Sequence, residues 1–357
     1  MKAIGILRGF PGLGRVVAGL EILKQLNEEY GIESVVYTYL QGFEFSKLHN
    51  FHCKNIDNIK DVSSIGIIPV SASGEIIINY IEISKPDFVL IDGEPLLVST
   101  IKLRFPNLLV IVLLNPFDVE NPNNQLSSQL FFNDCYSKAD VSIVHGLWEV
   151  QKPKMYQKRY YSINTILRKE IQELKLNANS NRIACVLGGG TVNSNEHFFE
   201  NTIFIAKQVV ELSKTQSQFH FDIFCGCENV FSRVHPLING NKNLQIHKHL
   251  HKTTDIYKSI KAVISRAGRN SISELLYLNL PSLLISTKCH IRGAEQEANI
   301  DFAKKYSPNI IAVNFKSDYL TFASQFNTLI KRDIESIKWS SGNNELIEII
   351  NRELLCI

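Results

Sequence analysis

AVISRAGRNSISELLYLNLPSLLIS, residues 262–286, decides how this chain is read. AVIS (262–265) is a short buried strand that ends in Ser265-Arg266-Ala267-Gly268. A helix follows, starting near Asn270 or Ser271 and running to about 279, and PSLLIS (281–286) is the next buried strand. Strand, glycine turn, helix and strand in so short a span are the grammar of a parallel α/β sheet. Such sheets bind ligands at the carboxyl ends of their strands, so chemistry is expected in the turn after AVIS.

The same grammar runs outward in both directions. Toward the C-terminus come a helix over 294–306, the strand IIAVNF (310–315) and an amphipathic helix over 345–355. Toward the N-terminus come strands at 243–250, 219–224 and 183–188, with a helix over 196–214. The stretch 150–180 breaks the rhythm, and its Asn-rich part reads as a linker. Before it the pattern repeats, with strands at 3–8, 34–40, 65–70, 87–92, 108–114 and 141–145, the last clear strand of this half. Helices are expected over 14–29, 75–84, 95–104 and 124–138. The predicted organisation is a Rossmann-like doubly wound domain over 1–165, a linker over 166–180 and a second such domain over 181–340. A helix over 341–357 closes the chain, with a return onto the N-domain as one place for it to pack. Two tandem sheets imply a ligand cleft between them.

Composition narrows the function. The chain has 357 residues, which suits two domains, with 45% apolar and 20% charged residues. A net charge of +3 is too mild to argue for nucleic acid. Seven scattered cysteines suggest a reducing compartment rather than a disulfide framework, and Cys225-Gly226-Cys227 has no second pair at zinc spacing. No secretory leader or bilayer-length apolar run is evident, so the expectation is a cytoplasmic protein, at most peripheral at the inner face of a membrane. The basic stretch Lys152, Lys154, Lys158, Arg159, Tyr160 and Tyr161 reads first as a solvated face and second as a contact for an anionic membrane or a lipid phosphate.

Glycines mark the turns. Gly12, Leu13, Gly14 and Arg15 lie between the first strand and helix. A dinucleotide fingerprint would need a third glycine where Val17 stands, so a conventional NAD site is rejected. A bare βα turn and a loop touching acceptor or diphosphate both remain. Gly188, Gly189 and Gly190, with Thr191, make a backbone anion nest before a helix. Ser271 and Glu274 have capping-box spacing, but Glu274 also falls where a carboxylate would accept two ribose hydroxyls. The helix start beside Gly268 and Arg269 suits a diphosphate. Gln296 and Asn299 are three apart and share a helix face, offering donors and acceptors to a hydroxyl-rich ligand. His247, His249 and His251 alternate and on a strand would share one face. A metal site is conceivable there, but they run into the loop after the strand, and loop polarity is the preferred reason.

These residues resemble the donor signature of glycosyltransferase family 28, the MurG-like group. Ser265, Arg266, Gly268, Ser271, Glu274, Pro281, Gln296 and Asn299 match its pattern S-R-[AS]-G-x-x-[ST]-x-x-E, then G-x-P, then Q-x-x-N. The triple glycine resembles the family's second Gly-rich loop, and GFPGLGRVVAGLEIL resembles its first. The resemblance implies a GT-B fold of two Rossmann-like domains, a UDP-sugar donor and no bound metal. It implies Glu274 on the ribose, Gln296 and Asn299 on the sugar, and 188–191 with 268–271, including Asn270, on the diphosphate. It places backbone at His249 or Leu250 against the base. Two departures argue against lipid I as acceptor. Leu13 and Arg15 stand near the family's loop histidine, and Asn115-Pro116-Phe117-Asp118 replaces a His-Glu motif.

An inverting transfer also needs a base for the acceptor hydroxyl. Asp92 is the first candidate, then Glu94, then Asp118, all at N-domain strand ends. A βα-turn cap explains Asp92 equally well. The expected activity is a hexosyl or N-acetylhexosaminyl transfer to an acceptor left open among a cell-envelope glycan, a lipid-linked sugar, a natural product and a protein. The competing readings are an epimerase or hydrolase on the same fold and a non-catalytic nucleotide-sugar-binding subunit.

Overall fold

A computed structural model describes residues 1–9, 12–55, 68–121, 125–177, 180–188, 196–248, 253–288 and 293–355. The chain divides into two compact units, one of Met1–Arg168 with Ser341–Ile357 and one of Lys169–Ser340.

Unit 1 begins with β1 (Lys2–Leu7), α1 (Gly14–Tyr30), β2 (Glu33–Thr38), α2 (Gln41–Leu48) and β3 (Cys53–Asn55). It continues with α3 (Ile68–Ser84), β4 (Phe88–Asp92), α4 (Pro95–Arg104), β5 (Leu109–Leu114) and α5 (Pro116–Val119). It ends its main run with α6 (Leu126–Ser137), β6 (Val141–Gly146) and β7 (Arg159–Asn164). The strands form one parallel sheet in the order β3-β2-β1-β4-β5-β6-β7. β4, β5 and β6 are buried along their whole length, as a sheet covered on both faces requires. One face packs on α1, and the other buries Ile77, Ile81, Leu97, Val98 and Ile101 of α3 and α4.

Two expectations are corrected here. Ile68–Val70, expected in a third strand at 65–70, start α3, and the third strand is Cys53–Asn55. Residues 65–67 lie outside the described residues. Pro69 is compatible with this because proline fits the first helical turn, where no intrahelical N–H bond is lost. β6 is also not the last strand. β7 pairs with it from Val141↔Arg159 to Gly146↔Asn164.

Unit 2 runs α7 (Lys169–Gln172), β8 (Arg182–Val186), α8 (Glu196–Thr215), β9 (His220–Phe224), α9 (Glu228–Val234) and β10 (Leu244–His247). After α10 (Thr253–Tyr257) come β11 (Ala262–Ser265), α11 (Arg269–Tyr277), β12 (Ser282–Ile285), α12 (Gly293–Tyr306), β13 (Ile310–Val313) and α13 (Tyr319–Lys331). Its parallel sheet has the order β10-β9-β8-β11-β12-β13. Parallel crossovers are right-handed. The step from β8 to β9 and the step from β12 to β13 run opposite ways across the sheet, so α8 and α12 cover opposite faces. α8 and α13 bury Ile205, Val209, Phe322 and Phe326 against Cys185, Ile223, Leu283 and Ile311.

The chain then returns to unit 1 as α14 (Asn343–Leu354), whose Leu346, Ile347, Ile350 and Leu354 enter the core shared with α1. Both sheets reverse their strand order at one point, between β1 and β4 and between β8 and β11, and ligands in such sheets bind there.

Candidate functional site

In unit 2 the turn after β11 lies at this reversal point. Gly268 is the helix N-cap and α11 starts at Arg269, so the capping box expected from Ser271 and Glu274 does not form. Ser271 sits inside the first turn, and Glu274 falls in the second turn rather than the first, 7% exposed. Arg269 is equally buried, and Asn270 lies beside it on the helix. Ala267 holds a left-handed backbone, φ 57°, which a side chain makes unfavourable by about 1–2 kcal/mol. The Asn299 Nδ2 donates to the Ala267 carbonyl at 3.1 Å and fixes that turn.

Arg266 is 7% exposed and links three elements. Its Nη1 donates to Thr202 Oγ1 of α8 at 2.9 Å. Its Nη2 lies 2.6 Å from where a Cβ would stand on Gly188, whose φ is 78°. Only glycine meets both conditions, since any side chain there would be strained and would displace the guanidinium. Gly189, Gly190 and Thr191 of that loop lie outside the described residues, as do His249, Leu250 and His251.

Gln296 and Asn299 both lie on α12, buried at 6% and 1% exposure. The Gln296 Oε1 accepts the Thr287 N–H at 2.7 Å and the Thr287 hydroxyl at 2.8 Å. These amides, expected to meet a sugar, are thus bonded to the turns after β12 and β11. The Gln296 Nε2 takes no part in the Thr287 bonds.

In unit 1 a charged network occupies the reversal point. Gly12, Leu13 and Gly14 lead into α1, with Leu13 at the N-cap, and Arg15 is in its first turn. The Arg15 Nη1 is 2.5 Å from Asp92 Oδ1 and its Nη2 is 2.7 Å from Asp118 Oδ1. The other Asp118 oxygen accepts the Asn115 N–H at 2.8 Å, which closes a capping box on α5. The Arg8 Nε is 3.5 Å from Glu94, whose Oε1 accepts the Tyr39 hydroxyl at 2.7 Å. Burial disfavours the Arg15 cation, yet Asp118 and Asp92 hold its pKa well above its ordinary value. Burial raises the pKa of Glu94, and Arg8 and Tyr39 only partly oppose it. Burial also acts on Asp118, but Arg15 outweighs it and holds that carboxyl below its usual range.

The three candidate bases therefore differ in access. Asp92 and Glu94 are closed off, with side chains 0% and 1% exposed, while Asp118 is 18% exposed.

Outside these clusters, Asp222 Oδ2 pairs with Arg182 at 2.8 Å and its Oδ1 with His247 at 2.8 Å, and the His247 ring stacks on Phe224. In the basic stretch, Lys158 pairs with Asp140 and Arg159 with Glu353. Among the described residues no group of three His, Cys, Asp or Glu side chains could hold a metal ion. No described helix is long and apolar enough to cross a membrane.

Sequence reading missed Asn201 and Thr202. The available signal was position, because Thr202 falls on the helical stripe of Ile205, Ala206 and Val209, where a polar residue needs a partner.

Comparison with known proteins agrees with this architecture. Residues 184–324 match the family model of the glycosyltransferase family 28 C-terminal domain. The chain is 24% identical over 321 residues to the UDP-N-acetylglucosamine–N-acetylmuramyl-(pentapeptide) pyrophosphoryl-undecaprenol N-acetylglucosamine transferase of Thermosipho africanus (strain TCF52B), covering 83% of this chain and 84% of that protein. Its fold is similar to that of Acinetobacter baumannii MurG, with a TM-score of 0.62 at 16% identity, covering 99% of this chain and 100% of that one. It is also similar to Neisseria meningitidis UDP-GlcNAc 2-epimerase bound to UDP-GlcNAc, with a TM-score of 0.68 at 15% identity and full coverage of both chains. Residues 184–324 thus match the glycosyltransferase family 28 C-terminal domain, and the chain as a whole has the GT-B fold of two parallel-sheet α/β domains.

Proposed function

We propose that this protein is a metal-independent, inverting glycosyltransferase that moves a hexosyl or N-acetylhexosaminyl group from a UDP-sugar to an acceptor hydroxyl. One observation carries the reading. The separate pieces of the donor signature, Arg266, Ala267, Gln296 and Asn299, are hydrogen-bonded into the neighbouring turns after β11 and β12, beside the β8/β11 reversal point. Glu274 is the ribose carboxylate, and backbone N–H groups from Gly188 onward and at the start of α11 meet the diphosphate. The helix dipole and these N–H groups stabilise the leaving nucleoside diphosphate, work that needs no cation.

Unit 1 supplies the base. Asp118 replaces Asp92 as first choice, because a base must reach the hydroxyl and Asp92 is wholly enclosed. Held ionised by Arg15, Asp118 accepts the acceptor proton as the new C–O bond forms. Arg15, with Gly12, Leu13 and Gly14, belongs to the acceptor side. The relative from Thermosipho africanus is named for a lipid-linked acceptor, and a lipid-linked sugar worked at a membrane surface is the acceptor class we favour.

Thermal-shift titration with UDP, GDP, TDP and ADP tests the donor half. UDP raises the melting temperature of the wild type, and Glu274→Ala loses most of that rise. If no nucleoside diphosphate shifts the protein, the assignment fails. An epimerase on the same fold would turn over UDP-sugar with no acceptor present, whereas a transferase requires one.

A further inference from the structure

α8 reaches two donor loops from one turn. The Asn201 Nδ2 donates to the Thr287 carbonyl at 2.6 Å, in the turn after β12. Thr202, 0% exposed, accepts Arg266 Nη1 at 2.9 Å, from the turn after β11. From the opposite face of the sheet, α12 grips the same two turns, Gln296 on Thr287 and Asn299 on Ala267. Each turn is therefore clamped between two helices, and the strained Ala267 is held inside that clamp. Buried polar networks of this kind fix one geometry rather than a family of them.

We propose that Asn201 and Thr202 are positioning residues for the nucleotide, setting the spacing of the β11 and β12 turns and so the affinity for a uridine diphosphate they do not touch. The inference rests on the donor reading above. Arg266 is the intermediary. Its Nη1 is held by Thr202 and its Nη2 fills the space a Cβ on Gly188 would take, so the hydroxyl of Thr202 sets how closely the first glycine of the phosphate loop can approach. A valine in its place fills the same volume but offers the guanidinium no acceptor.

The test is calorimetric titration of UDP into wild type, Thr202→Val, Thr202→Ser and Asn201→Ala, with melting temperatures measured without ligand. Thr202→Val is expected to bind UDP about tenfold more weakly, and Thr202→Ser to recover to within about twofold of wild type. The ligand-free melting temperature should fall by only about 2–4 °C. Equal UDP affinity in wild type and Thr202→Val overturns the inference while leaving the donor reading intact. A wild type that does not bind UDP overturns both. If Thr202→Val does not fold, Asn201→Ala carries the test through Thr287, and undiminished affinity in that variant is equally fatal.

Discussion

The Arg15 guanidinium stands 2.7 Å from the Asp118 carboxylate, binding a base candidate on α5 to the first turn of α1. Asp118 faces Arg15 from α1, Arg8 from the end of β1, the Asn115 N–H and the Tyr136 hydroxyl of α6. Burial pushes its pKa up and the Arg15 pair more than reverses this. Replacing Arg15 with Gln removes the largest lowering influence, so the acidic limb of the kcat/KM profile should move to higher pH. A pH–rate series on wild type and Arg15→Gln measures this, and an unmoved limb would place the base elsewhere.

Asp92 and Asp118 share Arg15 but should fail differently. Asp118→Asn is expected to lower kcat by about 10²–10⁴ and to leave the UDP-induced thermal shift in place. Asp92→Asn strips the enclosed side of a buried ion pair and should cost roughly 3–5 kcal/mol in urea unfolding. If Asp92→Asn proves as stable as wild type but inactive, Asp92 returns as the base.

Asp222 makes unit 2 sensitive to acid. Burial alone would raise its pKa, but His247 and Arg182 together hold it below the ordinary carboxylate value. A depressed folded-state pKa gives stability that is present above the unfolded pKa, about 4, and is lost as pH falls through the folded value. Asp222→Asn should therefore be less stable than wild type at pH 7, with the difference closing as pH falls from the ordinary carboxylate range through the folded-state pKa. Urea midpoints across that range would show it, and a constant difference would refute the linkage.

Asn343 clasps the backbone of Leu167 where the chain passes between its two units. Its Oδ1 accepts the Leu167 N–H at 2.8 Å and its Nδ2 donates to the Leu167 carbonyl at 2.9 Å, with the side chain 1% exposed. Beside it, a Cβ on Gly342 would stand 2.1 Å from the Asn164 carbonyl oxygen, so that residue has no substitute. Asn343→Ala removes two buried hydrogen bonds to the Leu167 backbone and should cost about 1–3 kcal/mol. Chemical denaturation followed by tryptophan fluorescence would report it, and a loss under about 0.5 kcal/mol would contradict the clasp.

Much of this architecture was legible from the chain because its signals are local. Continuous apolar runs such as LLVIVLL and DFVLID mark strands covered on both faces, and the apolar spacing of α1, α8 and α14 marks helices with one buried side. The edge strands were not legible. Cys53–Asn55 is too short to carry a period, and β7, Arg159-Tyr160-Tyr161-Ser162-Ile163-Asn164, reads as polar because an edge strand is only partly buried. Its Tyr161 side chain meets Glu353 and Arg352 of α14, some 190 residues away.

The sequence by itself determined the two doubly wound sheets and where their glycine-bearing turns fall, because strand and helix periods and glycine placement are properties of neighbouring residues. It also placed Arg266 in the turn after β11, and Glu274, Gln296 and Asn299 on the helices that follow β11 and β12. Only the tertiary structure decided what each side chain faces. It enclosed Asp92 and left Asp118 partly open, turned Gln296 and Asn299 onto Thr287 and Ala267, and brought Asn201 to a residue 86 positions away and Thr202 to one 64 away. Such partners are fixed by the order in which strands pack side by side, and that order is a long-range property that spacing along the chain does not encode.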